Sequence, residues 1–215
     1  MATCRNLILL SIIFFMVLIF GCAQSVTPKA FYNLSNGSNP QKAVVTAPQL
    51  DITSIRFENT ASDNITNKTT YITDKFSINY PNSWQNIKIA KDSIFFVLAA
   101  PFENKSDQLR ESINLGVDPL HDGESVPEYA DRAVAKIEQQ NNFTGLRASH
   151  VKIGNSSFYR VVYPPGKFKG LDVIYEQTFV GKDNTVYVFT YLAESRSFQA
   201  YSNTTNAIIG SFVPK

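Results

Sequence analysis

Hydrophobic and polar residues divide the chain into three stretches. The first is an apolar run from Leu7 to Phe20, broken only by Ser11, with Arg5 before it and Gly21-Cys22 after it. Its 14 residues are too few for a permanent span, because a helix rising about 1.5 Å per residue needs about 20 to cross the hydrocarbon core. They suit the apolar region of an export signal, with Arg5 and the terminal amine at the end that stays inside. From residue 23 to residue 70 the chain is rich in Ser, Thr, Asn, Gln and Pro and holds no sustained period. Such a segment cannot bury enough apolar surface to offset the entropy of ordering it, and it reads as a disordered polar tether. Within it, Leu50 to Phe57 alternates weakly, as an edge strand would.

Residues 71–215 carry the periods of one folded domain. Phe76-Ser77-Ile78-Asn79-Tyr80 alternates and stops at Pro81-Asn82-Ser83, a strand ended by turn formers. Ser93 to Ala100 is nearly continuous apolar sequence closed by Pro101, which predicts a strand covered on both faces, and Ser112 to Val117 predicts another. A helix is expected from Ser125, where Ser125-Val126-Pro127-Glu128 forms a capping box. Val126, Tyr129, Ala130, Ala133, Val134 and Ile137 then recur at helical spacing, Glu128 and Arg132 stand four apart toward solvent, and Asn141-Asn142 ends the element. Strands follow at Leu146–Ile153, Phe158–Tyr163, Leu171–Val180 and Thr185–Leu192, the last two joined across Gly181-Lys182-Asp183-Asn184 as a hairpin. A closing helix from Ser195 places Phe198, Tyr201, Thr205, Ile208 and Ile209 on one face and stops at Gly210, before Phe212. Strands, a helix, antiparallel strands and a terminal helix describe an α+β layer fold.

Composition narrows the partners. The 215 residues include 20 Lys plus Arg against 18 Asp plus Glu, a formal charge of +2 that falls further once Arg5 is removed with the signal. No basic stripe exists to grip a phosphate backbone, so nucleic acid is excluded as a partner. The 16 Phe and 10 Tyr predict a substantial core. Cys4 and Cys22 are the only cysteines, so the domain is expected to stand without a disulfide or a thiolate metal site.

Leu18-Ile19-Phe20-Gly21-Cys22 resembles the lipobox of prokaryotic lipoproteins, in which a small residue precedes the cysteine that becomes the lipid-bearing new terminus. Residues 1–22 are thus expected to act as a signal peptide with Cys22 lipidated. Phe20 is larger than the pattern prefers, which leaves an uncleaved anchor, or an ordinary signal peptide with an incidental cysteine, as alternatives. Either tethered form places the domain on the outer face of the cytoplasmic membrane. There Asn33, Asn36, Asn64, Asn67, Asn104, Asn142, Asn155 and Asn203, each in an Asn-X-Ser/Thr sequon, become candidate N-glycan acceptors, although a chain rich in Asn, Ser and Thr generates sequons by chance. Lipobox and sequon density together suggest an archaeal surface protein.

Recognisable catalytic chemistry is sparse. Nucleophile elbows, paired-His zinc helices, phosphate loops and dinucleotide fingerprints are absent from the sequence. A triad could draw only on His121 or His150, and His150 is expected on a sheet surface. Asp118, His121, Asp122 and Glu124 crowd one loop and are candidate ligands for a divalent metal, although they lack the spacing of a calcium loop and a solvated acidic loop beside a helix N-terminus explains them without a metal. No other cofactor is expected. Tyr159, Tyr163, Phe168, Tyr175, Phe179, Tyr187, Phe189 and Tyr191 fall on or beside the late strands, and those that face outward would form a patch for a partner.

Phe76-Ser77-Ile78-Asn79-Tyr80-Pro81-Asn82-Ser83-Trp84 resembles the opening motif of PsbP-like domains, which share a fold with Mog1. The ending is similar too: the aromatic strand Val186-Tyr187-Val188-Phe189-Thr190 after a Gly-Lys-Asp turn, then a helix and Ser211-Phe212. The resemblance covers Tyr71 to Val213 and implies an antiparallel sheet flanked by helices, a Mog1/PsbP-like α/β/α sandwich. It also implies non-catalytic binding, without transferring any metal ligand to this chain. The expected function is therefore an accessory module, not an enzyme, that docks an envelope protein or a small ligand. A glycosylated spacer and an unrecognised hydrolase are the alternatives.

Overall fold

The computed structural model describes residues 65, 67–87, 94–141, 146, 148–154 and 156–215, all within the unit Arg56–Lys215. The expected signal peptide, Cys22 and nearly all of the expected tether lie outside the described residues. In chain order the elements are β1 (Lys68–Ile72), β2 (Phe76–Pro81), β3 (Gln85–Ile87), β4 (Ile94–Ala99), β5 (Ser112–Pro119), α1 (Val126–Asn141), β6 (Ser149–Ile153), β7 (Ser156–Val162), β8 (Gly166–Phe168), β9 (Leu171–Lys182), β10 (Thr185–Glu194), α2 (Phe198–Gly210) and β11 (Val213–Pro214). The large sheet runs β3-β4-β5-β10-β9-β7-β6, with β8 added to β9, and a small sheet runs β1-β2-β11. Every pairing is antiparallel.

Alternation along the strands gives the large sheet two apolar faces, and each receives a helix. Phe179 lies opposite Val188 and Tyr159, so these side chains share one face. That face receives α1, whose Tyr129 ring stands 6.0 Å from the ring of Phe179. Helix and strand approach so closely there that a Cβ on Gly181 would lie 2.3 Å from Cγ2 of Val126, which is why β9 carries a glycine at this position. The opposite face, bearing Phe189 and Tyr191, receives α2 and the small sheet. Phe198 stacks on Tyr191 at 5.0 Å, and Phe212 meets Phe189 edge-on at 5.1 Å. Phe76 and Ile78 of the small sheet complete this core with Phe96, Leu98, Ile113, Leu115 and Ile208. Each such side chain contributes about 1.5–3 kcal/mol on burial, so this layer is a principal source of stability in a domain with no disulfide.

Several local expectations are met and others are displaced. The capping box forms: the backbone N–H of Ser125 donates to Oε2 of Glu128 at 2.8 Å, and the Ser125 hydroxyl donates to the same oxygen at 2.7 Å. With Glu128 occupied in this way, Arg132 turns to Glu124, at 2.8 and 3.0 Å, instead of to Glu128. The β9–β10 connection is two residues, Asp183-Asn184, with Asp183 in the left-handed region at φ 54°, so β9 runs on to Lys182, and at its far end β10 runs on to Glu194, paired with Val173. Helix α2 begins at Phe198, because the Ser197 hydroxyl donates to the buried carboxylate of Glu111 and gives no cap to the helix amides. The first described strand begins at Lys68, where Lys68 to Thr70 already pair with β2.

Candidate functional site

The acidic loop before α1 is built for the helix. Glu124 is held by Arg132 and accepts the backbone N–H of His121 at 3.0 Å, and the Arg132 hydrogen bonds keep its carboxyl below the usual carboxylate range. Asp118 Oδ2 accepts the Tyr129 hydroxyl at 3.0 Å, and burial with this carboxylate nearby pushes the phenol far above its ordinary value. Asp118, His121, Asp122 and Glu124 are therefore neighbours in sequence that the fold does not gather into one ligand set. Among the described residues, no group of three or more His, Cys, Asp or Glu side chains converges as metal ligands would. His150 lies exposed on β6 with its ring 5.3 Å from that of Tyr159, the sheet-surface position expected of it.

The late-strand aromatic residues do not form a patch. Tyr163, Phe168, Phe179, Tyr187, Phe189 and Tyr191 are buried, and Tyr159 and Tyr175 are half-buried. An exposed half required one open sheet face, and here both faces carry a helix. The exposed large apolar side chains among the described residues are elsewhere: Ile72 at 66%, Val213 at 56% and Phe102 at 55%.

Ile72 and Val213 belong together. Both pair with Ser77, Ile72 from β1 and Val213 from β11, so the three form one row across the outer face of the small sheet. At the same end of the domain a cleft of about 270 Å³ opens between the β1–β2 turn and the β9–β10 turn. It is lined by Asp74, Lys75, Lys182, Asp183 and Lys215 around Val117, Thr185 and Tyr187. The backbone N–H of Lys215 donates to Lys75 O at 2.9 Å, and its ammonium donates to Thr73 O, which fixes the chain after β11 against the turn. Lys75 stands 5.0 Å over the ring of Phe95. Two exposed apolar side chains in one row beside a charged cleft make this the candidate contact surface among the described residues. Sequence reasoning missed it because β1 and β11 are far apart in the chain and meet only through β2.

Three candidate glycan acceptors fall among the described residues. Asn67 is exposed with φ 57°, and its sequon hydroxyl, Thr69 Oγ1, donates to Asn82 Oδ1 at 2.7 Å. Asn203 is exposed on α2, but its sequon partner Thr205 is 1% exposed and donates to Ser202 O at 2.9 Å. Asn104 lies on the exposed loop between β4 and β5, where its Oδ1 accepts the backbone N–H of Ser106 at 2.9 Å and the Ser106 hydroxyl at 2.5 Å. Asn33, Asn36, Asn64, Asn142 and Asn155 lie outside the described residues.

A mainly antiparallel sheet with one helix on each face, strand pairs β6-β7 and β9-β10, and a small sheet closing the second face define a Mog1/PsbP-like α+β fold. The solution structure of CyanoP, the PsbP of the cyanobacterium Synechocystis sp. PCC 6803, is similar to this chain at a TM-score of 0.50 and 11% identity, over 74% of this chain and 99% of CyanoP. At that identity the likeness speaks to fold alone. Other matches are a Bacteroides thetaiotaomicron crystal structure (TM-score 0.47, 16% identity, 70% of this chain) and the Saccharomyces cerevisiae Ran-binding protein Mog1p (TM-score 0.46, 13% identity, 68% of this chain and 95% of Mog1p). The chain spans about half, 49%, of the Bacteroides protein's length. No protein-family sequence model matches the chain. No curated protein matches it in sequence. Among the described residues no helix is long and apolar enough to cross a membrane.

Proposed function

We propose that this chain is an exported, non-catalytic docking module, held at the outer face of the cytoplasmic membrane through its N-terminal segment with Cys22 as the lipid-bearing residue. Its partner is an envelope protein that covers the row Ile72, Ser77 and Val213. The observation that carries the reading is this row itself: two large apolar side chains left in water on either side of Ser77, while both faces of the large sheet are covered among the described residues. Covering what remains exposed of both would contribute about 1–2 kcal/mol each toward a larger contact that the surrounding charges orient. Three lysines against two aspartates in the adjacent cleft favour a partner with acidic groups at its rim.

The export half of the reading rests on the short apolar run, the lipobox-like ending and the confinement of both cysteines to the first 22 residues. A photoreactive amino acid placed at Ile72 of the full chain in intact cells tests the docking half, with Asp131 on the exposed side of α1 as the comparison site. A discrete adduct from position 72, absent from position 131 and lost on Val213→Asp, is the expected result. The same smear from both positions would be the behaviour of a glycosylated spacer and would refute docking.

A further inference from the structure

We infer that, of the three described sequons, Asn104 is the one the folded domain presents for N-glycosylation, by transfer from a polyprenyl-phosphate-linked glycan. The inference rests on the export reading above, because the lipid-linked donor is met outside the cell. In the transfer, a bond forms between Nδ2 of Asn104 and the anomeric carbon, the bond from that carbon to the lipid phosphate breaks, the phosphate leaves with the electron pair, and the amide proton passes to a base of the transferase. A transferase must hold the carboxamide and the hydroxyl two residues on at the same time, so both groups have to project to one side of an accessible stretch of backbone. Asn104 and Ser106 already do so, with the hydroxyl and the backbone N–H of Ser106 both on Oδ1 and with Nδ2 left to the other side of the carboxamide.

The loop that presents them is built. Asp107 accepts the backbone N–H of Glu103 at 3.0 Å and that of Leu109 at 3.1 Å, and Leu109 is buried. Arg110 fastens the base of the loop, donating to Ala99 O at 3.1 Å, to Ala100 O at 2.5 Å and to Gln85 Oε1 at 2.8 Å. A sequon whose carboxamide and hydroxyl are already held together loses less freedom when both are bound at once. The other two described sequons lack this arrangement: the Thr69 hydroxyl is turned to Asn82, and the Thr205 hydroxyl is sealed under α2. Position favours the loop as well. Ser112 pairs with Leu192 and Ala99, while Pro119 pairs with Thr185, so the β4–β5 loop lies at the opposite end of the large sheet from the β9–β10 turn. A glycan on Asn104 would leave the docking row uncovered.

The test uses the purified full chain with an oligosaccharyltransferase and a lipid-linked glycan in detergent, with occupancy read at each site by peptide mass spectrometry. This bypasses export, so a failure here is separate from a failure of the membrane placement, which cell fractionation reads. In the folded chain, modification at Asn104 should be at least about tenfold faster than at Asn67 or Asn203. Heat-unfolding the chain first should bring the three rates together. Asp107→Ala should slow Asn104 while Asn203 stays low, the latter reporting that the chain is still folded. Equal rates in the folded chain, a preference that survives unfolding, or an unchanged Asn104 rate in Asp107→Ala would each overturn the inference.

Discussion

Arg160 and Glu176 form an ion pair beneath α2, at 2% and 3% exposure, with Nε 3.1 Å from Oε1. Arg160 also donates to Asn206 Oδ1 on α2 at 2.7 Å and to Thr178 Oγ1 at 3.3 Å, so it ties β7, β9 and the terminal helix at one point. Removing the cation alone by Arg160→Met strands a carboxylate with almost no access to water, and such a break costs about 3–5 kcal/mol. For a domain near this size that is a fall in Tm of about 6 to 20 °C. Replacing both partners, Arg160→Met with Glu176→Leu, removes the charge together with its need for a partner and should return stability to within about 1 kcal/mol of the natural chain. The sign with pH follows from burial, which raises the Glu176 carboxyl above its ordinary value of 4.5. The penalty in Arg160→Met is thus fully present above the folded-state value and is relieved as pH falls through it, so the variant should lose less at pH 4 than at pH 7. Urea unfolding of the natural chain, Arg160→Met, Glu176→Leu and the double variant at both pH values provides the assay. A double variant that costs the sum of the two singles, or a single variant with the same loss at both pH values, would refute the account.

Glu111 carries the opposite lesson, a buried carboxyl with no ion-pair partner among the described residues. Burial raises its pKa from 4.5, Glu103 and Asp107 add to the rise, and its Oε2 is buried without a hydrogen-bond partner. The stability it lends is complete below the unfolded value and is lost as pH rises through the raised folded value. Glu111→Gln should accordingly flatten the pH dependence between 4 and 7 and gain about 1 kcal/mol at the upper end, measured by urea unfolding. Gly181→Ala should cost about 1–3 kcal/mol by forcing α1 off β9, and Val126→Ala in the same chain should recover most of it. If Gly181→Ala is neutral, the close approach of helix and strand is not what the geometry indicates.

Elements whose stabilising contacts are local were legible in the sequence. The capping box at Ser125, the apolar stripe of α1 and the alternation in β2 depend on neighbours within a few residues, and all are found. What escaped was set by distant partners. Gln85–Ile87 is too short to alternate and is a strand only because it lies on Val97 to Ala99. The aromatic residues of β9 and β10 seemed numerous enough to spare some for the surface, yet a helix on each face consumed them. Ile72 and Val213 carry no signal of their own, since 141 positions separate them and only their shared pairing with Ser77 makes a row. The clustered acids at 118–124 gave a misleading signal because closeness in sequence says nothing of where each carboxylate points.

The direction of β1 has a mechanical consequence. The chain enters this strand at Lys68, opposite Pro81 and on the side of the β4–β5 loop, and leaves it at Ile72 near the charged cleft. Tension between an anchor upstream of Lys68 and a body gripping the far end would act along the strand axis, loading the five β1–β2 residue pairs in shear, all at once, instead of peeling them one by one.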